Sequence, residues 1–171
     1  ANPELAMQER RTAGIAAKWL REQGFEVTEG VGGTGVVGLL RNGEGATVLL
    51  RADMDALPME ENTGLPYAST KTVTDPSGQE TPVAHMCGHD MHVTWLMGAA
   101  RILAANKDKW RGTVMAVFQP AEETGEGARA MVEDGLARRF PKPDVALAQH
   151  VLPLPAGQTA IRSGLLLSQS D

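Results

Sequence analysis

Three of the four histidines and the single cysteine fall inside eight residues, His85-Met86-Cys87-Gly88-His89-Asp90-Met91-His92. Thiolate and imidazole are the donors that borderline-soft divalent ions prefer. The competing account is a polar loop in which Cys87 serves as a small buried hydrophobe. Carboxylates recur in Arg51-Ala52-Asp53-Met54-Asp55-Ala56-Leu57-Pro58 and in Gln119-Pro120-Ala121-Glu122-Glu123, and His150 stands alone. Asp53 and Asp55, two apart, point the same way from extended backbone; salt-bridged loop aspartates would read identically. Glu122 and Glu123 point to opposite sides of an extended chain, so irregular backbone after Pro120 is needed to bring both to one ion. With that irregularity, one could bind metal while the other takes a proton from metal-activated water. The plain alternative is an acidic helix start stabilised by the helix dipole.

A further pattern, Gly30-Val31-Gly32-Gly33-Thr34-Gly35, satisfies the dinucleotide fingerprint G-x-G-x-x-G. Such a site needs a helix N-terminus directly behind it to hold the pyrophosphate. Here the next residues are Val36-Val37-Gly38-Leu39-Leu40, a β-type run, and no Lys-Ser/Thr makes it a P-loop. A flexible loop between strands is the expected structure.

The elements that must position these groups emerge from periodicity. Ala13, Ala16, Trp19 and Leu20 recur at helical spacing over 8–23, led in by Asn2-Pro3-Glu4 and ended by Gly24. Residues 25–28 alternate as a strand. Arg41-Asn42-Gly43-Glu44-Gly45 is a hairpin turn signal, and 47–50 is a strand apolar on both faces. Residues 60–82 lack any period and suit a surface segment that contacts substrate. A helix over 90–105 carries Val93, Leu96, Met97, Ala100 and Leu103 as its apolar stripe, which puts the histidine cluster at a helix N-terminus. That position is expected to lower the Cys87 pKa. Residues 113–118 and 144–149 are strands. A helix over 128–133 should turn Met131 and Val132 inward and stop at Gly135, and 161–167 is a candidate last strand.

Strands alternating with helices imply an α/β fold, a mixed, largely parallel sheet with helices on both faces. Ligands bind such sheets beyond the carboxyl ends of the strands. That rule gathers Asp53, Asp55, Glu122, Glu123 and His150 on one rim, with the Cys87–His92 turn entering from the same end. This convergence implies a metal site.

The bulk composition excludes other classes. With 171 residues, a net charge of −5 and a pI near 5.4, the chain has no electrostatic case for nucleic acid or an anionic membrane. One cysteine makes no internal disulfide, so a reducing, cytoplasmic setting is expected. The early sequence carries no signal-peptide pattern, and no apolar run approaches the roughly 20 residues that span a bilayer.

The matching pieces Pro3-Glu4-Leu5, Arg51–Pro58, His85–His92, Gln119–Glu123 and His150 resemble the N-acyl amino acid amidohydrolases. These are co-catalytic metallopeptidases of the hippurate hydrolase, indole-acetyl amino acid hydrolase and N-acetyldiaminopimelate deacetylase type. The resemblance implies a zinc-exopeptidase-like catalytic domain with two divalent ions (zinc, manganese, cobalt or nickel). Cys87, His89, Glu123 and His150 match metal ligands, Glu122 the catalytic base, and Asp55 the aspartate that supports the metal cluster. Asp90 and His92 match second-tier positions, and His85 is unassigned. The family's catalytic domain is interrupted by a lid that dimerises, after which the chain returns with a last histidine ligand. Residues 1–171 therefore correspond to its N-terminal portion, with the lid and the C-terminal catalytic segment outside them.

Metal-dependent hydrolysis of N-acyl amino acids or small peptide-like amides is the function this implies. The alternative is a metal-binding but inactive fragment that lacks one ligand and the lid. A cysteine hydrolase pairing Cys87 with His89 or His92 is disfavoured, because two residues on one turn give poor geometry for a nucleophile and its base.

Overall fold

In the computed structural model, which describes residues 2–74 and 77–160, one strand is buried on both faces and organises the rest. Residues Gly112–Gln119 (β6 in chain order) send Val114, Ala116 and Phe118 to one side and Met115 and Val117 to the other, as the period of two requires. Around it lie α1 (Arg10–Glu22), β1 (Glu26–Val31), β2 (Gly35–Asn42) and β3 (Thr47–Asp53). A short hairpin β4 (Thr72–Thr74) and β5 (Glu80–Pro82) precedes α2 (His89–Ala105). After β6 come α3 (Gly127–Glu133), α4 (Leu136–Arg139) and β7 (Val145–Ala148).

The main sheet has the order β1-β2-β6-β3-β7. It is mixed: β1 with β2 and β2 with β6 are antiparallel, whereas β6 with β3 and β3 with β7 are parallel. The parallel trio aligns Asp53 with Gln119 and Arg51 with Ala148, so β3 and β6 finish level and the shorter β7 ends just before them at the same edge. Helices cover both faces. On one, Ala13, Ala16, Ala17 and Leu20 of α1 meet Val93, Leu96 and Ala100 of α2. On the other, Met131 of α3 packs on Val31, Val37, Leu39, Met115 and Val117. The Trp19 indole N–H donates to the Met97 carbonyl at 3.0 Å and joins the two helices. The lead-in residue Glu4 caps α1: its carboxylate accepts from the Arg11 and Thr12 N–H groups at 3.0 and 2.8 Å, two of the donors a helix start leaves unpaired.

Several expectations change. Arg41–Gly45 does not close a hairpin, because β6 is inserted between β2 and β3; the Thr113 N–H donates to the Ala46 carbonyl at 3.0 Å as it slots in. The hairpin lies one connection earlier, where the glycine-rich segment turns tightly with Val31 opposite Gly35, and β1 runs on to Val31. Residues 60–82, expected to be irregular, include the β4–β5 hairpin. Val132, expected inward, is 56% exposed, because so short a helix buries only a narrow stripe. The candidate strand over 161–167 lies outside the described residues.

Phe118 is fully buried at the end of β6, directly before the Gln119–Glu123 turn. Phe118→Ala should cost about 3–5 kcal/mol, read as a lowered urea midpoint at unchanged m-value.

Candidate metal centre

His89, the first residue of α2, is fully buried and stands at the middle of the rim. Its Nδ1 faces Asp55 Oδ1 at 3.3 Å. Its Nε2 faces Glu123 Oε1 at 3.6 Å, Glu122 Oε2 at 3.7 Å and Asp53 Oδ2 at 3.7 Å. None of these contacts is a hydrogen bond: both ring nitrogens and Asp55 Oδ1 are buried and unpartnered among the described residues. Polar atoms are seldom left so in a folded interior. Burial alone would lower the His89 pKa, but Asp55, then Asp53 and Glu123, raise it above its ordinary value. The aspartates show the reverse balance. Burial would raise Asp53, yet the His92 hydrogen bond and the Arg51 guanidinium lower it. Burial would raise Asp55 likewise, and His89 and the backbone N–H groups of Glu123 and Glu122 lower it.

Irregular backbone after Pro120 does bring both glutamates inward. Ala121 adopts a left-handed conformation, φ 46°, and the Glu123 N–H donates to Asp55 Oδ2 at 2.9 Å. Both carboxylates then reach one imidazole, which an extended strand end would prevent.

The fourth corner comes from the segment after β7. His150 Nε2 lies 3.3 Å from Cys87 Sγ, while its Nδ1 donates to the Val151 carbonyl at 2.7 Å. That bond places the proton on Nδ1 and leaves the Nε2 lone pair facing the sulfur, the arrangement of a metal-ligating histidine. Gly88 makes the approach possible. It has φ 80°, and a Cβ there would meet the Val151 side chain at 2.5 Å.

His92 is no ligand in this arrangement, because both of its nitrogens are engaged. Nδ1 donates to Asp53 Oδ1 at 2.6 Å, and Nε2 accepts the Val151 N–H at 3.0 Å. The ring thus ties the His150 segment to β3. Spacing His89 and His92 three apart puts both on one helix face, which is the signal in the sequence for this partnership. Arg51 is a residue sequence reasoning passed over. It pairs with Asp53 Oδ2 at 2.6 Å and donates to Gln119 Oε1 at 2.9 Å, linking the ends of β3 and β6. Asp90 is exposed and accepts the Met91 N–H. His85 keeps a buried, unpartnered Nδ1, and burial lowers its pKa.

The expectation of an acidified Cys87 is overturned. Burial first, then the charge of Glu123, push the thiol from 9.0 up to about 12. Burial, with Glu123, Glu122 and Asp53 adding to it, outweighs the partial charge of one helix end.

Among the described residues, three sets of donors have atoms within 4.8 Å of one another: Cys87, His89 and His150; His89, Glu122 and Glu123; and Asp53, His89 and His92. With His92 engaged elsewhere, the first two sets share His89 and offer adjacent places for cations. Among the described residues, no helix is long and apolar enough to cross a membrane.

Comparison with known proteins gives a consistent set of relatives. The family model described as Peptidase family M20/M25/M40 matches residues 49–164. Hippurate hydrolase of Campylobacter jejuni is 42% identical over 99% of the chain and 42% of its own length. N-acetyl-L-cysteine deacetylase of Bacillus subtilis is 37% identical over 99% of the chain and 38% of its own length. Among solved structures, the Bacillus subtilis YXEP protein, described as a dinuclear metal binding peptidase from the M20 family, superposes with a TM-score of 0.76. It is 34% identical, over 89% of this chain and 40% of that one. The chain thus spans about two fifths of the length of the relatives it matches.

The geometry makes two outcomes testable. In the metal-free chain Cys87 should react with iodoacetamide at neutral pH at least about tenfold more slowly than an ordinary thiol, because the loss of thiolate outweighs the greater nucleophilicity of a more basic sulfur; labelling followed by mass spectrometry reads the rate. Replacing His92 by Leu strands the Val151 N–H and an oxygen of Asp53, and should cost about 2–4 kcal/mol in denaturant unfolding.

Proposed function

The chain belongs to peptidase family M20/M25/M40, and from that premise we propose that it forms the metal-binding rim of an amidohydrolase acting on N-acyl amino acids or small peptide-like amides. Cys87, His89, Glu123 and His150 hold a pair of divalent ions, Glu122 is the general base, and Asp55 supports the metal cluster. The observation that carries this reading is the buried, unpartnered imidazole of His89 facing carboxylates on both sides. A cation resolves both problems at once: it takes the imidazole lone pair and neutralises the anions around it. Thiolate and imidazole beside carboxylate form a mixed soft and hard donor set that zinc, manganese, cobalt and nickel all accept.

When bound, such ions supply Lewis acidity, polarising an amide carbonyl and acidifying water. The remaining work falls to side chains. The Glu122 side chain is 40% exposed and that of Glu123 is 22%, so the more open carboxylate meets substrate and the more enclosed one holds metal. Glu122 Oε2 takes the proton from the attacking water and passes it to the leaving amine nitrogen. Asp55 flanks the His89 ring on its Nδ1 side at 3.3 Å, and the Val151 carbonyl holds the His150 ring by a hydrogen bond from Nδ1.

The names of the relatives support the substrate class, since one hydrolyses hippurate and another removes an acetyl group from cysteine. Given the two fifths of relatives' length that the chain spans, we assign residues 1–171 to the N-terminal portion of the catalytic domain. In this assignment a dimerising lid and a last histidine ligand come from the rest of the protein. The 3.3 Å approach of Cys87 to His150 resembles a nucleophile and its base, but a thiol pushed up to about 12 is the opposite of an activated one.

In the full-length protein Glu122→Gln should lower amide hydrolysis by about 10²–10⁴-fold with metal content by elemental analysis unchanged. Exhaustive chelation should abolish hydrolysis, and restored divalent metal should recover it. Full activity after chelation, or an undiminished Glu122→Gln enzyme, would sink the proposal.

A further inference from the structure

Glu9 is fully buried, lies outside the donor sets of the metal centre, and is bound entirely by donors. Its Oε1 accepts the Met7 N–H at 3.1 Å and the Ala121 N–H at 2.8 Å, and its Oε2 accepts the Thr34 hydroxyl at 2.5 Å. The two backbone donors share a peculiarity. Met7, at φ 60°, and Ala121, at φ 46°, are the non-glycine residues with positive φ among the described residues. Left-handed backbone is unfavourable for residues with a Cβ and persists where the surroundings over-determine it. One oxygen atom binds both such residues, one just before α1 and the other just beyond β6.

We propose that Glu9 is a positioning residue for the Glu122–Glu123 turn, holding Ala121 left-handed so that both following carboxylates face His89. Were Ala121 to relax to ordinary extended backbone, Glu122 and Glu123 would diverge, because successive side chains then alternate. The turn is pinned at two amides, that of Ala121 by Glu9 and that of Glu123 by Asp55. Only the second pin belongs to the metal centre.

The glycine-rich segment finds its role in the same device. Thr34 at the tip of the β1–β2 turn fixes the second oxygen of Glu9. Gly32 seats that tip against α3, the helix that comes after the catalytic turn: its N–H donates to Asp134 Oδ2 at 3.1 Å. It has φ 65°, and a Cβ there would lie 2.4 Å from the Met131 backbone nitrogen. The segment that mimics a dinucleotide fingerprint therefore has a packing reason for its glycines and presents a hydroxyl to the clamp.

The catalytic consequence rests on the reading of Glu122 and Glu123 as base and ligand, whereas the clamp itself does not. The test uses Glu9→Ala, Glu9→Gln, Thr34→Val and Ala121→Gly. In the metal-free protein, amide hydrogen exchange at Ala121 and Glu123 should quicken in Glu9→Ala and, to a smaller extent, in Thr34→Val. Glu9→Gln retains an oxygen that accepts both N–H groups and should keep protection near that of the parent. In the metal-loaded protein, Glu9→Ala should lower kcat by about 10²-fold, the scale of a small misplacement of a catalytic group, with a much smaller change in KM. Ala121→Gly, which accepts φ 46° without strain, should recover part of that loss in the double variant. Should Glu9→Ala not fold, Thr34→Val and Glu9→Gln carry the same comparison. Unchanged exchange at Ala121 in a folded Glu9→Ala or Thr34→Val protein overturns the clamp, as does a Glu9→Ala defect that Glu9→Gln fails to relieve. If Glu122→Gln stays fully active while Glu9→Ala still deprotects Ala121, the proposed base is wrong and the clamp stands.

Discussion

Four carboxylates, those of Asp53, Asp55, Glu122 and Glu123, surround one buried imidazole, and the molecule is arranged around keeping them there. Like charges crowded in a low-dielectric interior repel and lose hydration, so such a cluster persists only where the chain is held firmly and a cation answers it. Part of the answer is built in. Arg51 takes one oxygen of Asp53 and His92 the other, while backbone N–H groups take Asp55. The part left over falls at His89, where both ring nitrogens lack a hydrogen-bond partner among the described residues.

The sheet explains how residues from four distant stretches meet at that point. Parallel pairing of β6, β3 and β7 brings three carboxyl ends to the same edge of the sheet, so the residues just beyond them share one rim. Because α2 begins at the same level and packs on β3, the Cys87–His92 turn closes the rim from the side. β7 shows the dependence in reverse. It is an edge strand with every residue exposed, and the His150–Val151 segment beyond it is anchored by the Val151 N–H bonding to His92.

Family membership and geometry agree without either substituting for the other. Similarity at about 40% identity says which family the chain belongs to. The coordinates supply details that likeness does not: the His150 tautomer, the engagement of both His92 nitrogens, and a Cys87 thiol made more basic by burial and then by its acidic neighbours. A thiol in that state would take up metal only by giving up a proton, so the proposed metal binding would be coupled to pH.

The sequence by itself determined the alternation of strands and helices, the rim on which the candidate donors lie, and which residue types could serve as donors, because hydrophobic periodicity and side-chain chemistry are local properties. His85–His92, Asp53 and Asp55, and Glu122 and Glu123 were legible as chemistry in that way. Local signals misled where the outcome depended on another strand. Arg41–Gly45 reads as a hairpin turn, yet β6, far along the chain, occupies the place beside β2. A helix start reads as acidifying Cys87, yet burial, joined by carboxylates from distant parts of the chain, reverses the sign. Glu9 carried no signal at all, since an acidic residue beside a helix start is ordinary and its meaning lies in an amide 112 positions away. Tertiary structure alone decided which strand lies beside which, which oxygen holds Ala121, and which nitrogen faces the metal centre, because each depends on groups brought together only when the whole sheet closes.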